Sequence, residues 1–221
     1  MSSLFVSIRF SCGDTMSNRF MLAPMTNTQS QEDGTLSGEE VKWLTMRAKG
    51  GFGLTMTCAS HVQANGKGFP GQLGIFEDEQ ISGHTRLAKE IQAHGSLAVV
   101  QLHHAGIRSP RELVEGGPVG PSVHEKSKSR ALSLKEVQAL RDDFIEAGVR
   151  AKKSGYNGAE IHGAHGYILC QFLSSKYNLR KDPYGGSLEN RSRLIFEIID
   201  GIRQACGPQF LLGLRLSPER F

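Results

Sequence analysis

The stretch YNGAEIHGAHGYILCQF, residues 156–172, opens as a short apolar strand and closes on two histidines and a tyrosine. Side chains of a strand alternate between its faces, so Glu160 and His162 point the same way, and His165 follows in the turn beyond. Tyr167 lies two residues further on. Reactive residues gathered past the carboxyl end of a strand are typical of sites in parallel α/β proteins. The fold therefore depends on whether other strands of the chain end in the same way.

Four more apolar runs do. RFMLAPM (19–25) reads as a strand ended by Pro24, GFGLTMTCAS (51–60) as a second, LAVVQLHH (97–104) as a third and FLLGLRLS (210–217) as the last. Polar residues collect at their C-terminal ends: Thr26, Ser60–His61, Gln101–His104 and Arg215. Helical patterns separate the strands. SGEEVKWLTMRAKG (37–50) starts at Ser37 with Glu39 and Glu40 in its first turn, and EDEQISGHTRLAKEIQAHG (77–95) stops at Gly95. The segment 133–155 has a capping box from Ser133 and Glu136, then Val137, Leu140, Phe144 and Val149 along one stripe. The segment 187–207 starts at Ser187 and repeats Leu194, Ile198 and Ile202. Strand and helix thus alternate throughout, which predicts either an open doubly wound sheet or a (β/α)8 barrel. No GxGxxG follows the first strand, so the α/β class resolves to the TIM barrel.

Composition limits the function classes. The chain has 221 residues, enough for a single domain over 1–221, with 38% hydrophobic and 22% charged residues. No apolar run has the length needed to span a bilayer, and the start MSSLFVSIRF lacks the pattern of a secretory signal. Cys12, Cys58, Cys170 and Cys206 are far apart and form no CxxC pair, which points away from a zinc module and toward a cytoplasmic, reducing setting. The net charge is +4, and the one dense basic run, HEKSKSR (124–130), has no interleaved aromatic residues. It reads as a solvated loop, with steering of a substrate as the other use; neither a nucleic-acid nor a membrane partner is expected.

His162 and His165 admit three readings. With Glu160 they could ligate a metal, but the helical zinc signature needs histidines at i and i+4, and no acidic residue lies between these two. They could be structural histidines satisfied by the backbone. They could also donate two hydrogen bonds to one substrate oxygen, with Tyr167 placed to deliver a proton to the adjacent carbon.

The order of motifs adds a resemblance. APMT (23–26) followed by SQEDGTLSGEE (30–40), QLHHAG (101–106), HGAHGYILCQFLS (162–174) and NLRKDPYGGSLENRSR (178–193) resembles the old yellow enzyme family, FMN-dependent ene-reductases that include 2,4-dienoyl-CoA reductase-like members. The resemblance runs from about Leu22 to the last residue, and its most specific part is 162–193. It implies a (β/α)8 barrel that reduces the C=C bond of a small α,β-unsaturated carbonyl compound, with FMN as cofactor and NAD(P)H as reductant. Pro24, Met25 and Thr26 would line the flavin, Ala59 would bring a backbone group to the ring edge, and Gln101 would pair with its pyrimidine-like end. Arg215 would stabilise negative charge near N1. His162 and His165 would clamp the carbonyl oxygen as both substrate-binding and catalytic groups, with Tyr167 as proton donor and no metal. Gly185–Gly186, Asp182, Glu189, Arg191 and Arg193 look structural. Three positions depart from or vary within the family pattern. Cys170 reads as an apolar filler, Thr26 stands where some members carry cysteine, and Arg108 is spaced one residue further from HHAG than in relatives reading HAGR.

A (β/α)8 barrel usually needs about 250 residues, and its phosphate site lies in the loops after strands seven and eight. Only five strands are legible here, so a barrel truncated after about the fifth strand is expected, lacking strands six to eight. That predicts weak FMN binding and impaired turnover by the chain alone, or a homo-oligomer or complementing chain at the open edges. A non-catalytic half-barrel remnant and a metal-dependent hydrolase are the competing functions. The loops at about 107–132 are expected to shape the substrate pocket.

Overall fold

The apolar run Leu97–His103 becomes the middle strand of a five-stranded sheet, buried on both faces as its composition requires. A computed structural model describes residues 3–217. In chain order, β1 (Ile8–Arg9) and β2 (Thr15–Met16) form an antiparallel hairpin. Then come β3 (Met21–Leu22), α1 (Gly38–Lys49), β4 (Leu54–His61), α2 (Ile81–Gln92) and β5 (Leu97–His103). A long connection carries β6 (Val119–Gly120) and β7 (Arg130–Ala131), followed by α3 (Leu134–Lys153), β8 (Gly158–Gly163), α4 (Ile168–Leu173), α5 (Leu188–Cys206) and β9 (Leu211–Leu216). The main sheet runs β3-β4-β5-β8-β9 with every pair parallel, the first five strands of a (β/α) barrel. Among the described residues no helix is long and apolar enough to cross a membrane.

Local chemistry sets the element ends. The hydroxyls of Ser37, Ser133 and Ser187 accept the N–H of Glu40, Glu136 and Asn190, closing the amino ends of α1, α3 and α5. The first strand is shorter than the expected 19–25: only Met21 and Leu22 pair, with Leu54 and Thr55. Pro24 has no N–H to give a ladder, and the strand stops before it. The second helix begins at Ile81 rather than at Glu77, because Glu77 and Gln80 form a capping box around a tight turn first.

Strand parity divides the interior. Ala98, Val100, Leu102, Ala159 and Ile161 face outward and pack with Leu87, Ile91, Leu140, Phe144, Ile198 and Ile202 of the helices in one apolar core. Facing inward, Leu54, Met56 and Val99 join Met16 of the hairpin in a second, smaller cluster against Phe10. Above that cluster the inward positions turn polar.

One irregularity re-aims a strand. Met56 pairs with Val99 but Ala59 pairs with Gln101, so β4 contains one residue more than β5 over that step. The bulge reverses parity and brings Ala59 to the inner face. The Thr57 hydroxyl accepts the Gln101 N–H at 3.2 Å and so replaces a ladder partner that the bulge removes.

Candidate active site

The carboxyl ends of the strands meet in a cavity of about 220 Å3 lined by Pro24, Thr26, Ala59, Phe69, Gln101, His162, His165, Tyr167 and Arg215. Of the nine residues to which the resemblance gives a role, only Met25 is missing from that lining; it is 46% exposed. Phe69 comes from the connection after β4, and no pattern in the sequence marked it.

The floor of the cavity is a three-residue polar layer. Gln101 of β5 donates from Nε2 to Glu160 Oε1 at 2.6 Å, and Arg215 of β9 donates from Nε to the same oxygen at 2.8 Å. Glu160 sits between them on β8, opposite Gly213. Glu160 is therefore a positioning residue for both the Gln101 carboxamide and the Arg215 guanidinium, which occupy its carboxylate. The sequence pointed to Glu160 only as a metal ligand.

Above the floor stand the imidazoles. His162 Nδ1 accepts the Ala164 N–H at 3.3 Å, which leaves the proton on Nε2, 3.1 Å from His165 Nδ1. Burial and the neighbouring His165 push His162 down to about 3, so it is neutral at neutral pH. His165 has a left-handed backbone, φ 56°. Two contacts outside its own turn hold it there. Its N–H donates to Ser217 Oγ at 3.0 Å, and its carbonyl accepts a short bond from the Arg108 guanidinium.

Tyr167 completes the cluster. Its ring meets His162 edge-on at 5.0 Å and His103 at 4.3 Å between centroids, and the Arg108 guanidinium lies over it at 4.9 Å. The displaced spacing of Arg108 thus has a structural use: one side chain fixes both the His165 carbonyl and the Tyr167 ring. Gln171 of α4 ties the two segments together, donating to Gly166 O and Ala105 O while accepting the Ile107 N–H. His103 is fully buried, takes a contact from Gln72 Nε2 at Nδ1 and has no partner at Nε2. Gln72 also donates to Ala59 O, joining the bulged strand to the wall under Tyr167. Gln72 did not stand out in the sequence, and His103 was marked only as part of the polar end of its strand, because each acts through contacts far along the chain.

The donor set fits the pyrimidine-like end of an isoalloxazine. The Gln101 carboxamide and the Arg215 guanidinium are fixed in one layer by a half-buried carboxylate, with Thr26 and Ala59 lining the same cavity. The DPYGGSLENRSR segment is structural, as read: Arg180 pairs with Asp182, while Arg191 and Arg193 donate to backbone carbonyls.

A half-ring of parallel strands with its reactive cluster at the carboxyl ends defines the class, a (β/α)-barrel protein of the flavoenzyme type. The chain belongs to the NADH:flavin oxidoreductase / NADH oxidase family, whose model matches residues 3–221. It is 44% identical to "Probable NADH-dependent flavin oxidoreductase YqiG" of Bacillus subtilis (strain 168) over 98% of its own length and 60% of that protein. Among solved structures it is similar to 2-naphthoyl-CoA reductase in complex with 2-naphthoyl-CoA (TM-score 0.93, 31% identity, 96% of this chain and 35% of that one). It is also similar to old yellow enzyme from Pichia sp. AKU4542 (TM-score 0.91, 28% identity, 98% and 60%). The chain therefore spans 60% or less of the length of each of these relatives.

Proposed function

We propose that the chain carries the ring-contacting and substrate-clamping part of an FMN-dependent NAD(P)H oxidoreductase that reduces the C=C bond of α,β-unsaturated carbonyl compounds. The observation that carries the reading is the stacking of His162, His165 and Tyr167 over the Gln101–Glu160–Arg215 layer in one cavity. Bound FMN would supply the two-electron chemistry, taking hydride from NAD(P)H and passing it to the β-carbon of the substrate. The chain's own residues do the rest. The His162 Nε2–H now meets His165 Nδ1, and an incoming carbonyl oxygen takes its place as acceptor, with His165 Nε2–H as the second donor. Charge developing on that oxygen is met by these two N–H donors. The Tyr167 O–H protonates the α-carbon and is reprotonated from solvent.

The test begins with FMN fluorescence. Quenching on titration with the chain, weakened in Gln101→Ala and Arg215→Ala, supports the reading; FMN fluorescence unchanged at saturating protein overturns it. NADH consumption with 2-cyclohexenone, slowed by Tyr167→Phe at unchanged FMN binding, then assigns the proton donor.

A specific observation favours a further unit over the sheet. Among the described residues β9 pairs only with β8, and its outward Leu214 and Leu216 are 39% and 46% exposed. A complementing strand-bearing unit, from a longer form of the protein or from another chain, would cover them. Sedimentation velocity of the chain alone and with the C-terminal part of a relative distinguishes a monomer from a complex.

A further inference from the structure

A second pocket of about 530 Å3 adjoins the cavity, lined by Ile107, Arg108, Gly166, Cys170, Ser174, Lys176 and Tyr177. The turn 165–167 separates the two: His165 and Tyr167 face the cavity, and Gly166 faces the pocket. The pocket carries two cations, Arg108 and Lys176, and no acidic residue lines it. Neither cation has a carboxylate partner among the described residues. Arg108 spends one nitrogen on the His165 carbonyl and keeps the rest of its fork free. Ser174, 2% exposed, accepts the Lys176 N–H at 3.3 Å and has no acceptor for its own hydroxyl proton among the described residues.

The pocket is built into the fold. Gln171 locks the Ala105–Ile107 turn to Gly166, so Arg108 is presented beside the cavity without a search over loop conformations. The basic loop that begins at His124 reaches the same place, where the His124 ring meets Tyr177 edge-on at 5.6 Å. Lys126 and Lys128 follow His124 in that loop, which gives the approach to the pocket a positive field. A guanidinium and an ammonium whose other contacts are an aromatic ring each and one carbonyl, with a hydroxyl beside them and no carboxylate partner among the described residues, suit a phosphoryl group.

We propose that this pocket receives the phosphate or pyrophosphate of the molecule whose reactive end enters the neighbouring cavity. The inference rests on the ene-reductase reading for the identity of that reactive end, though the pocket itself can be tested without it. Two kinds of molecule carry such a group: a dinucleotide reductant and a coenzyme A thioester substrate. In either case the charged tail holds the molecule while the 165–167 turn guides its other end toward Tyr167.

Calorimetric titration of the chain with inorganic pyrophosphate decides the matter. Wild type binds it, Lys176→Gln binds it about tenfold more weakly, and Lys176→Glu loses binding. Absence of binding by wild type, or equal binding by the three proteins, overturns the proposal. Titrations with NADH and with coenzyme A identify the source as the one whose affinity falls in Lys176→Gln; if neither falls, the proposal fails. FMN fluorescence quenching is read on the same proteins and is unchanged by Lys176→Gln. Failure of wild type to quench FMN would remove the flavin reading while leaving the pyrophosphate result standing.

Discussion

Two layers of inward-facing side chains, one above the other in the same half-barrel, are built on opposite principles. The lower layer of Leu54, Met56 and Val99 is apolar and closed by Met16 of the β1–β2 hairpin. The upper layer of Gln101, Glu160 and Arg215 is held by directional bonds and has four buried histidines, His61, His103, His104 and His162, around it at the strand ends. Volume specifies the first, and partner identity specifies the second. The lower layer should therefore tolerate exchange of shape-matched residues and ignore pH, while the upper should do neither.

Acid breaks the comparison most strongly. Burial pushes His61 down to about 4 and His104 to about 3, and His103 falls well below its usual value. His162 lies at about 3. In the unfolded chain each takes a proton near pH 6.5, so the stability they confer is present above that pH and is lost as pH falls toward the folded values. Each histidine still neutral in the fold contributes a slope of about 1.4 kcal/mol per pH unit. Urea unfolding at pH 7, 6 and 5 should show the midpoint collapsing across that window, and a flat profile would refute the assigned neutrality.

Next in size is the lower layer. Met56→Ala should cost about 2–5 kcal/mol by leaving a cavity, and Met56→Leu less than about 1.5 kcal/mol. Thermal unfolding measures both. FMN quenching by whatever protein remains folded should match wild type, because the site begins one layer higher. Loss of FMN binding in Met56→Leu would show that the layers are not separable.

Glu160→Gln sharpens the contrast at nearly constant volume. The amide keeps one acceptor oxygen but leaves the Arg215 guanidinium without its counter-charge and sets a second amide against Gln101. Both groups retain some contact with solvent, so a stability loss of about 1–3 kcal/mol is expected. FMN binding should weaken more than in Met56→Leu, and equal affinities would remove the positioning role of Glu160.

The sequence was most readable where chemistry is local. Serine caps at Ser37, Ser133 and Ser187, the apolar strands and the spacing of His162, His165 and Tyr167 all act within a few residues of themselves. The phosphate side of the site and the closing strands raised at the sequence level concern parts of a barrel beyond the five strands described. What sequence could not carry is pairing across distance. Arg108 reaches His165 and Tyr167 only because Gln171 pins the turn before it, and Gln72 meets His103 from a loop. Met25 was grouped with its neighbours by motif, and it stays outside the cavity that Pro24 and Thr26 line. The extra residue in β4 left no signature either, since LTMTCASH reads as an uninterrupted apolar strand.

That extra residue gives the smallest and most local test. Without the bulge, alternation from Met56 would aim Cys58 inward and Ala59 toward the helices. The bulge is tolerated because Thr57 bends its hydroxyl to the Gln101 N–H, a buried donor that would otherwise face no acceptor. Thr57→Val keeps the shape and removes that acceptor, so it should cost about 1–3 kcal/mol, the penalty for an unsatisfied buried N–H. Thr57→Ser should recover most of the loss. If the bulge also sets the ring-edge contact, Thr57→Val will shift the visible spectrum of bound FMN, and Thr57→Ser will not. A valine variant with wild-type stability and spectrum would mean that the register jump holds itself, by packing of Ala59 against its neighbours rather than by the hydroxyl.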